Sequence, residues 1–463
     1  MNNLERIRRI VIEKGENSFG DDAERIYQST AFRRLAGVTQ VITATESGVY
    51  HNRLTHSIKV SRMARLIAHR LKEKEKNDKK IRQRIAELGG LDVSVVEAAS
   101  LAHDIGHPPF GHCGEDELDK LVKEYGYANK SEKEFEELEG FEGNAQSLRV
   151  VTKLIPRHTS PDIKGLNLTR ATLNALMKYP WLKQSNNKKY GVYRTELKEF
   201  EWTRQPENLV ENRRTLEAEI MDWADDVAYA FHDFEDFVQA ELIDLGEIYS
   251  YHSSSKTNGR TPDFVQYIKQ HETANNEETL EEAFLAFVEL TPFIGPRSKI
   301  LPRKQKRSNN EVFASLREQY IKFFDVDSNN EDYVSLKSRN DIEVLKKFTE
   351  FYVINSRSLQ TQQHGYRVVL RYIFEAFFEA SEEKKYPENM DDLMKATILP
   401  RDFWELYWEL YEENESNTEN LSDKYIRARV IADCISRMTD QEALVMYGRL
   451  SGNAPGSVFD RLR

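Results

Sequence analysis

Leu101-Ala102-His103-Asp104-Ile105-Gly106-His107 is the stretch on which the reading of this chain turns. Ala98, Leu101, Ala102 and Ile105 recur at i, i+3, i+4 and i+7, so they share one helical face. An adjacent His and Asp at the end of an apolar helix are chemically out of place there. Buried without partners, they would cost on the order of a few kcal/mol. A divalent metal ion is one economical way to satisfy both.

Working outward, the same periodicity brings further polar groups with it. His56, in Asn52-Arg53-Leu54-Thr55-His56-Ser57, opens a helix marked by Ile58, Met63, Ala64, Leu66, Ile67 and Leu71. Asp225 lies on a helix marked by Leu216, Ile220, Trp223, Ala224, Val227, Ala228 and Phe231. Leu173, Leu176 and Met177 mark another, stopped by Tyr179-Pro180. Three helices are thus expected to deliver His56, the His103-Asp104 pair and Asp225. Residues 37–50, rich in Val, Ile and Thr, are the best candidate for a short strand pair. Loops or solvated extensions are expected at 72–84, 251–262, 294–310 and 412–422. The 294–310 segment is basic, so it is also a candidate phosphate-contacting loop. Helical patterning continues beyond residue 265, as in 342–352 and 365–380, and no internal repeat is visible.

Composition narrows the class. The 463 residues carry 39% hydrophobic and 31% charged residues, with 21 Tyr and 23 Phe, so disorder is not the default. The net charge of −11 argues against a dedicated nucleic-acid binder while leaving room for a local basic stripe. Cys113 and Cys434 are the only cysteines, so no disulfide framework is expected. The charged N-terminus and the lack of a long apolar run point to a cytoplasmic protein with no membrane association.

His56, His103, Asp104 and Asp225 together offer two imidazoles and two carboxylates with no thiolate. That donor set suits a catalytic divalent ion, Mn2+ or Mg2+ with Fe, Co or Ni possible, better than a structural zinc.

The order His56, His103-Asp104, Asp225 resembles the HD phosphohydrolase superfamily. The resemblance is closer than that. Ser29-Thr30-Ala31-Phe32-Arg33-Arg34-Leu35, Thr39-Gln40-Val41, Asn52 to Ser57, His103 to His112, Phe141-Glu142-Gly143-Asn144-Ala145-Gln146 and Leu166-Asn167-Leu168-Thr169 recur in order. So do Lys178-Tyr179-Pro180, Ala224 to Tyr229 and Met438-Thr439-Asp440. As a set they resemble the deoxyguanosine triphosphate triphosphohydrolase family of bacterial dNTPases. The motifs are dense over residues 25–235 and sparse beyond. The implied fold is mainly α. It has an N-terminal segment (1–24), an HD helical core (25–240), a helical C-terminal lobe (241–463) with loop insertions, and a few short strands.

The resemblance implies hydrolysis of a dNTP, dGTP or several, to a deoxynucleoside and inorganic triphosphate. His112 is then the acid that protonates the leaving 5′-oxygen, with Glu115 orienting it; i and i+3 meet on one face if a helix begins there. Arg53, Lys178, Tyr179 and Lys189 correspond to phosphate contacts, and His107 is a further candidate. Tyr229 and Asp233 fall at i+4 and i+8 from Asp225, on one stripe. In the family the tyrosine lies under the deoxyribose and the aspartate accepts the 3′-hydroxyl. Gln40 corresponds to a sugar contact from the other side, and Asn144 is expected near the attacking water. Arg437 is a candidate base or effector contact. Trp223 and Gly37-Val38-Thr39 depart from the family pattern, neither at a ligand position. Implied partners are the dNTP, further copies in a homo-oligomer (hexamer or tetramer), and an ssDNA or dNTP effector. The competing readings are an HD phosphomonoesterase or phosphodiesterase, and a nucleotide- or ssDNA-binding regulator with a vestigial site.

Overall fold

The computed structural model describes residues 19–41, 51–127, 137–155, 164–185, 187–205, 212–254, 259–271, 279–290, 303–326, 333–383, 398–415, 421–454 and 456. Among these residues the fold is helical, and the only β pairing is two isolated bridges, Thr39 with Asn52 and Leu182 with Val192. The first half contains α1 (Gly20–Gln28), α2 (Thr30–Arg34), α3 (Arg53–Asn77), α4 (Lys79–Glu87), α5 (Val93–Ala102), α6 (His112–Gly126), α7 (Gly143–Arg149), α8 (Arg170–Leu176), α9 (Leu197–Arg204) and α10 (Leu216–Gln239). The second contains α11 (Leu245–Ser254), α12 (Thr261–Gln270), α13 (Leu280–Leu290), α14 (Arg303–Lys322), α15 (Leu336–Thr349), α16 (Arg357–Glu383), α17 (Phe403–Glu415), α18 (Asp423–Ser436) and α19 (Asp440–Leu450).

Side chains fix where the site-bearing helices start. Asn52 and Thr55 form a reciprocal capping box at the start of α3, and the N-cap Asn52 lies four residues before His56. Asp92 caps α5 through the amides of Ser94 and Val95, and Thr215 caps α10 through that of Ala218. α3, α5 and α10 then pack on one another, and α1 and α8 cover α5. The fully buried Val60, Ala64, Ile67, Trp223, Ala224 and Val227 fill the α3–α10 seam. α6 belongs to a second core with α16, α17 and α18, centred on Leu118, Leu121, Phe374, Phe403 and Ile431. The C-terminal helices therefore pack directly against the helix that follows the His103–His107 turn.

Several expectations change. α5 ends at Ala102, so His103 and Asp104 lie in the turn beyond it rather than on the helix. Gly106 and Pro108-Pro109 prevent continuation. Ile105 is still buried in the same core. The strand pair expected at 37–50 is absent over its described part: Leu35–Gly37 is a 3-10 turn and Thr39 makes a single bridge, while 42–50 lie outside the described residues. The 72–84 run is helical on both sides of Asp78, which ends α3 and caps α4. The basic 294–310 stretch is not a loop throughout. Residues from Arg303 onward belong to α14, which is anchored by buried Phe313, Leu316 and Tyr320; 294–302 lie outside the described residues. Likewise α11 runs to Ser254, α12 begins at Thr261, and Glu412 to Glu415 finish α17. No helix among the described residues is long and apolar enough to cross a membrane.

Candidate active site

α3 supplies His56, the turn after α5 supplies His103 and Asp104, and α10 supplies Asp225. His56 Nε2 lies 3.0 Å from Asp225 Oδ1, and His103 Nε2 lies 3.5 Å from the same oxygen and 3.6 Å from Asp104 Oδ2. The His103 ring is set by its other nitrogen: Nδ1 donates to the Ser100 carbonyl at 2.8 Å, leaving Nε2 turned inward. That Nε2 is buried and has no hydrogen-bond partner among the described residues.

These groups fit a divalent cation. The ligand atoms of His56, His103 and Asp225 all lie within 4.8 Å of one another. Burial lowers the His103 imidazole, and the carboxylates of Asp104 and Asp225 more than reverse this, to about 9. Burial raises Asp225, but Lys178 and His103 hold it well below the usual carboxylate range. The cluster thus asks for positive charge at its centre, and a metal ion supplies it when the imidazoles are neutral. Asp104 stands slightly apart. Its Oδ2 accepts from Arg53 Nη1 at 2.8 Å, while Oδ1 lies 3.2 Å from His107 Nδ1.

A second group lies beside the first. α6 begins at His112, so His112 and Glu115 meet as the i, i+3 spacing requires, Nδ1 to Oε2 at 3.1 Å. The His112 side chain is 61% exposed and Glu115 is buried. Glu115 Oε1 accepts from Gly143 N at 2.9 Å and Lys189 Nζ at 3.1 Å. Burial raises Glu115, but its hydrogen bond to His112 and the Lys189 ammonium hold it well below the ordinary range. His107 is buried, neither ring nitrogen makes a hydrogen bond among the described residues, and its Nε2 is 3.8 Å from Glu115 Oε2. Burial, then the Arg53 guanidinium, lowers it to about 3, so it is neutral near pH 7.

The cationic side chains converge on the same region. Lys178 Nζ contacts Asp222 Oδ1 at 2.6 Å and Asp225 Oδ2 at 3.2 Å. Lys189 bridges Glu115 and Glu142, 3.1 Å from each. Arg53 is fully buried, and its Nη2 has no hydrogen-bond partner among the described residues. Tyr179 packs its ring edge-on against Trp181 and beneath Arg214, whose guanidinium is 5.5 Å from the ring centre. On α10, Tyr229 is half-buried and Asp233 is buried with Oδ2 unpartnered. Burial, then Asp236, pushes the Asp233 carboxyl well up, with Arg53 acting against it. Gln40 is buried and its Oε1 is also unpartnered. Asn144 is turned back onto Glu142, to which it donates from N (2.7 Å) and Nδ2 (2.8 Å). Arg437 lies away from the histidines, in a cavity of about 800 Å3 it shares with Arg33, Arg34 and Arg449, and pairs with Asp402 at 2.6 Å.

Three acidic residues are missing from the sequence-derived site. Asp222 gathers Lys178 and Arg214, the latter at 2.6 Å, and its place three residues before Asp225 on one helical face was a usable signal. Glu142 shares Lys189 and caps α7. Asp236 accepts from the backbone N of His51 (3.0 Å) and its Nδ1 (2.7 Å), and His51 stacks on His232 at 4.9 Å.

Residues 53–230 match the HD domain and residues 333–449 match the phosphohydrolase-associated domain. The chain is 42% identical to a deoxyguanosinetriphosphate triphosphohydrolase-like protein of Streptomyces coelicolor over 50% of its length and 49% of the relative's. Identity to a protein of the same description from Corynebacterium efficiens is 40%, over 50% of this chain and 47% of that one. These matches thus span about half of each relative. A third, from Listeria innocua, is 28% identical over 94% of both chains. The histidine and aspartate cluster, the helices that carry it and these matches agree on an HD domain over residues 53–230.

Proposed function

We propose that this protein is a divalent-metal-dependent dNTP triphosphohydrolase. It cleaves between the 5′-oxygen and the α-phosphorus and releases a deoxynucleoside and inorganic triphosphate. The observation that carries the reading is the placement of the His112–Glu115 pair beside the His56–His103–Asp225 cluster. A proton donor and a metal-competent donor set lie together, ringed by Arg53, Lys178 and Lys189.

His56, His103, Asp104 and Asp225 would hold the cation. When bound, it supplies Lewis-acid polarisation of a phosphoryl oxygen and lowers the pKa of a coordinated water. Glu115 accepts a hydrogen bond from His112 Nδ1, so it is the imidazolium form of His112 that carries a transferable proton, on Nε2. Delivered to the 5′-oxygen, it avoids expulsion of an alkoxide. The unpartnered Nη2 of Arg53 is available to a phosphate oxygen, and Lys178 and Lys189 add charge for a polyanion. Tyr229 presents its ring to the sugar, and Asp233 and Gln40 hold free acceptor oxygens for sugar hydroxyls. The names of the relatives support dGTP among the substrates. A homo-oligomer, an effector dNTP or ssDNA, and a cytoplasmic location belong to the same proposal.

The test is turnover of each dNTP and rNTP, alone and in mixtures, with Mn2+ or Mg2+ and with products resolved. Release of intact triphosphate, lost in Asp104→Ala, supports the reading. Stepwise release of orthophosphate, or equal activity in Asp104→Ala, overturns it.

A further inference from the structure

The Met438-Thr439-Asp440 turn takes no part in the chemistry above, yet it touches both flanks of the His103–His107 turn. Asp440 Oδ1 accepts from the amide of Phe110 at 2.7 Å. Its Oδ2 accepts from the amide of Thr39 at 3.0 Å and also from the Thr39 hydroxyl. The Thr39 carbonyl in turn accepts from Arg53 Nε at 3.1 Å, and Arg53 Nη1 donates to Asp104. On the other flank, Arg34 donates to the carbonyls of Met438 (3.0 Å), Ile105 (3.1 Å) and His107 (2.7 Å).

We propose that Asp440 is a positioning residue: it holds the Thr39 carbonyl, and through it Arg53 and Asp104, in the arrangement that receives the metal ion and the innermost phosphate. The inference rests on the triphosphohydrolase reading and extends it to the C-terminal lobe.

Three observations separate this role from ordinary packing. Asp440 opens α19, but that helix is already capped by the reciprocal Thr439–Glu442 box, so its start does not need the Asp440 carboxylate. The carboxylate is instead committed to three donors of two distant loops, which a single amide oxygen cannot match. The loops are also pressed together with no slack. A Cβ on Gly37 would stand 2.7 Å from the Thr439 side chain, and one on Gly111 would stand 3.0 Å from both the Thr39 carbonyl and Arg53 Nη2. Phe110 and Gly111 both hold positive φ, 65° and 60°. A phenylalanine rarely adopts such a value, so its surroundings have to hold it there. The Asp440 bond to the Phe110 amide, and the Phe110 ring stacked on Tyr366 at 4.2 Å, hold it there.

The experiment compares the full-length wild type with Asp440→Asn, Thr39→Val and Glu442→Gln. It reads Mn2+ affinity by calorimetry, kcat and KM for dGTP, thermal midpoint, and hydrogen exchange at the Thr39 and Phe110 amides. Asp440→Asn is expected to fold, to lose protection at both amides and to bind Mn2+ about 10–100-fold more weakly, with kcat falling in parallel. Glu442→Gln loosens the α19 cap and lowers the midpoint while keeping Mn2+ affinity. Folded Asp440→Asn with wild-type Mn2+ affinity overturns the proposal, as does equal weakening in Glu442→Gln. If Asp440→Asn does not fold, Thr39→Val decides: it removes one donor and is expected to weaken Mn2+ about threefold or more, and an unchanged affinity overturns the role. Wild type that binds Mn2+ but releases no triphosphate sinks the substrate reading alone, since the variants' Mn2+ affinities still decide the role of Asp440. Wild type that takes up no Mn2+ overturns both.

Discussion

Lys178 meets Asp225 on the side its histidines leave free. The ammonium lies 3.2 Å from Oδ2, while His56 and His103 approach Oδ1 at 3.0 and 3.5 Å. One carboxylate thus faces a fixed cation on one side and a metal-competent pair of imidazoles on the other.

This arrangement makes Lys178 costly to remove. Lys178→Met leaves Asp222 and Asp225 facing each other without their shared ammonium, both mostly buried. Loss of one partner from such a cluster costs about 3 kcal/mol. The urea midpoint should fall accordingly, and Lys178→Arg should recover most of the loss. An unchanged midpoint in Lys178→Met would mean that the ammonium stabilises neither carboxylate.

His112 is the opposite case. Its side chain is largely exposed and Asn can still donate to Glu115, so His112→Asn should shift the melting curve little. Turnover should drop about 10²–10⁴-fold, the usual contribution of a positioned proton donor. A stable variant with near-normal kcat would assign the leaving-group proton elsewhere.

Chelation should act on both activity and stability. EDTA treatment should abolish dNTP hydrolysis, and Mn2+ should restore it. Mn2+ at a hundred times its Kd should stabilise the fold by about 2.7 kcal/mol. His103→Ala should abolish that stabilisation, because His103 Nε2 is the nitrogen aimed at the cluster. An equal Mn2+-dependent rise in this variant would place the ion at another site.

His232 sets a pH dependence. Burial, then the positive charge of Lys59, holds its imidazole far below its ordinary value. The folded state keeps it neutral, while the unfolded chain takes up a proton near pH 6.5. The stability that depends on the neutral ring is therefore complete above that pH and is lost as pH falls, at about 1.4 kcal/mol per pH unit. Urea midpoints between pH 7 and 5 should fall more steeply for wild type than for His232→Phe. Parallel slopes would show that the ring titrates normally.

Gly106 tests the packing behind the site. A Cβ there would collide with the backbone nitrogen of Ser147 and with backbone atoms of Gln146 and Gly143. These are helix atoms that cannot step aside. Gly106→Ala should destabilise the fold by about 2–3 kcal/mol, read from its denaturation midpoint. Wild-type stability would mean that α7 can shift as a body.

What the sequence could reveal follows from the range of the forces involved. The elements bearing His56, His103 and Asp225 announce themselves through helical stripes of apolar residues, and the His112–Glu115 contact follows from a spacing of three. Asp222 was within reach of the same reasoning. The start of α14 was not, because the basic residues near 303 have no apolar stripe of their own and are carried into the helix by burial of Phe313 and Leu316 further on. Nor was the end of α5 at Ala102, since the apolar stripe runs on to Ile105, which remains buried in a turn. The attachment of Asp440 to Thr39 lies furthest from view. It spans 401 positions, and no periodicity encodes a bond between a helix start and a distant loop.

The Asp440 linkage also separates two kinds of boundary. Residues 53–230 are a unit of inheritance, the stretch recognisable as an HD domain. They are not a unit of mechanical integrity, because the shape of their most reactive turn is borrowed from a residue more than two hundred positions beyond their edge. An excised HD stretch would keep every proposed metal ligand and lose the Asp440 bonds that brace the turn beside them. Any graft onto another protein has to carry the far lobe with it.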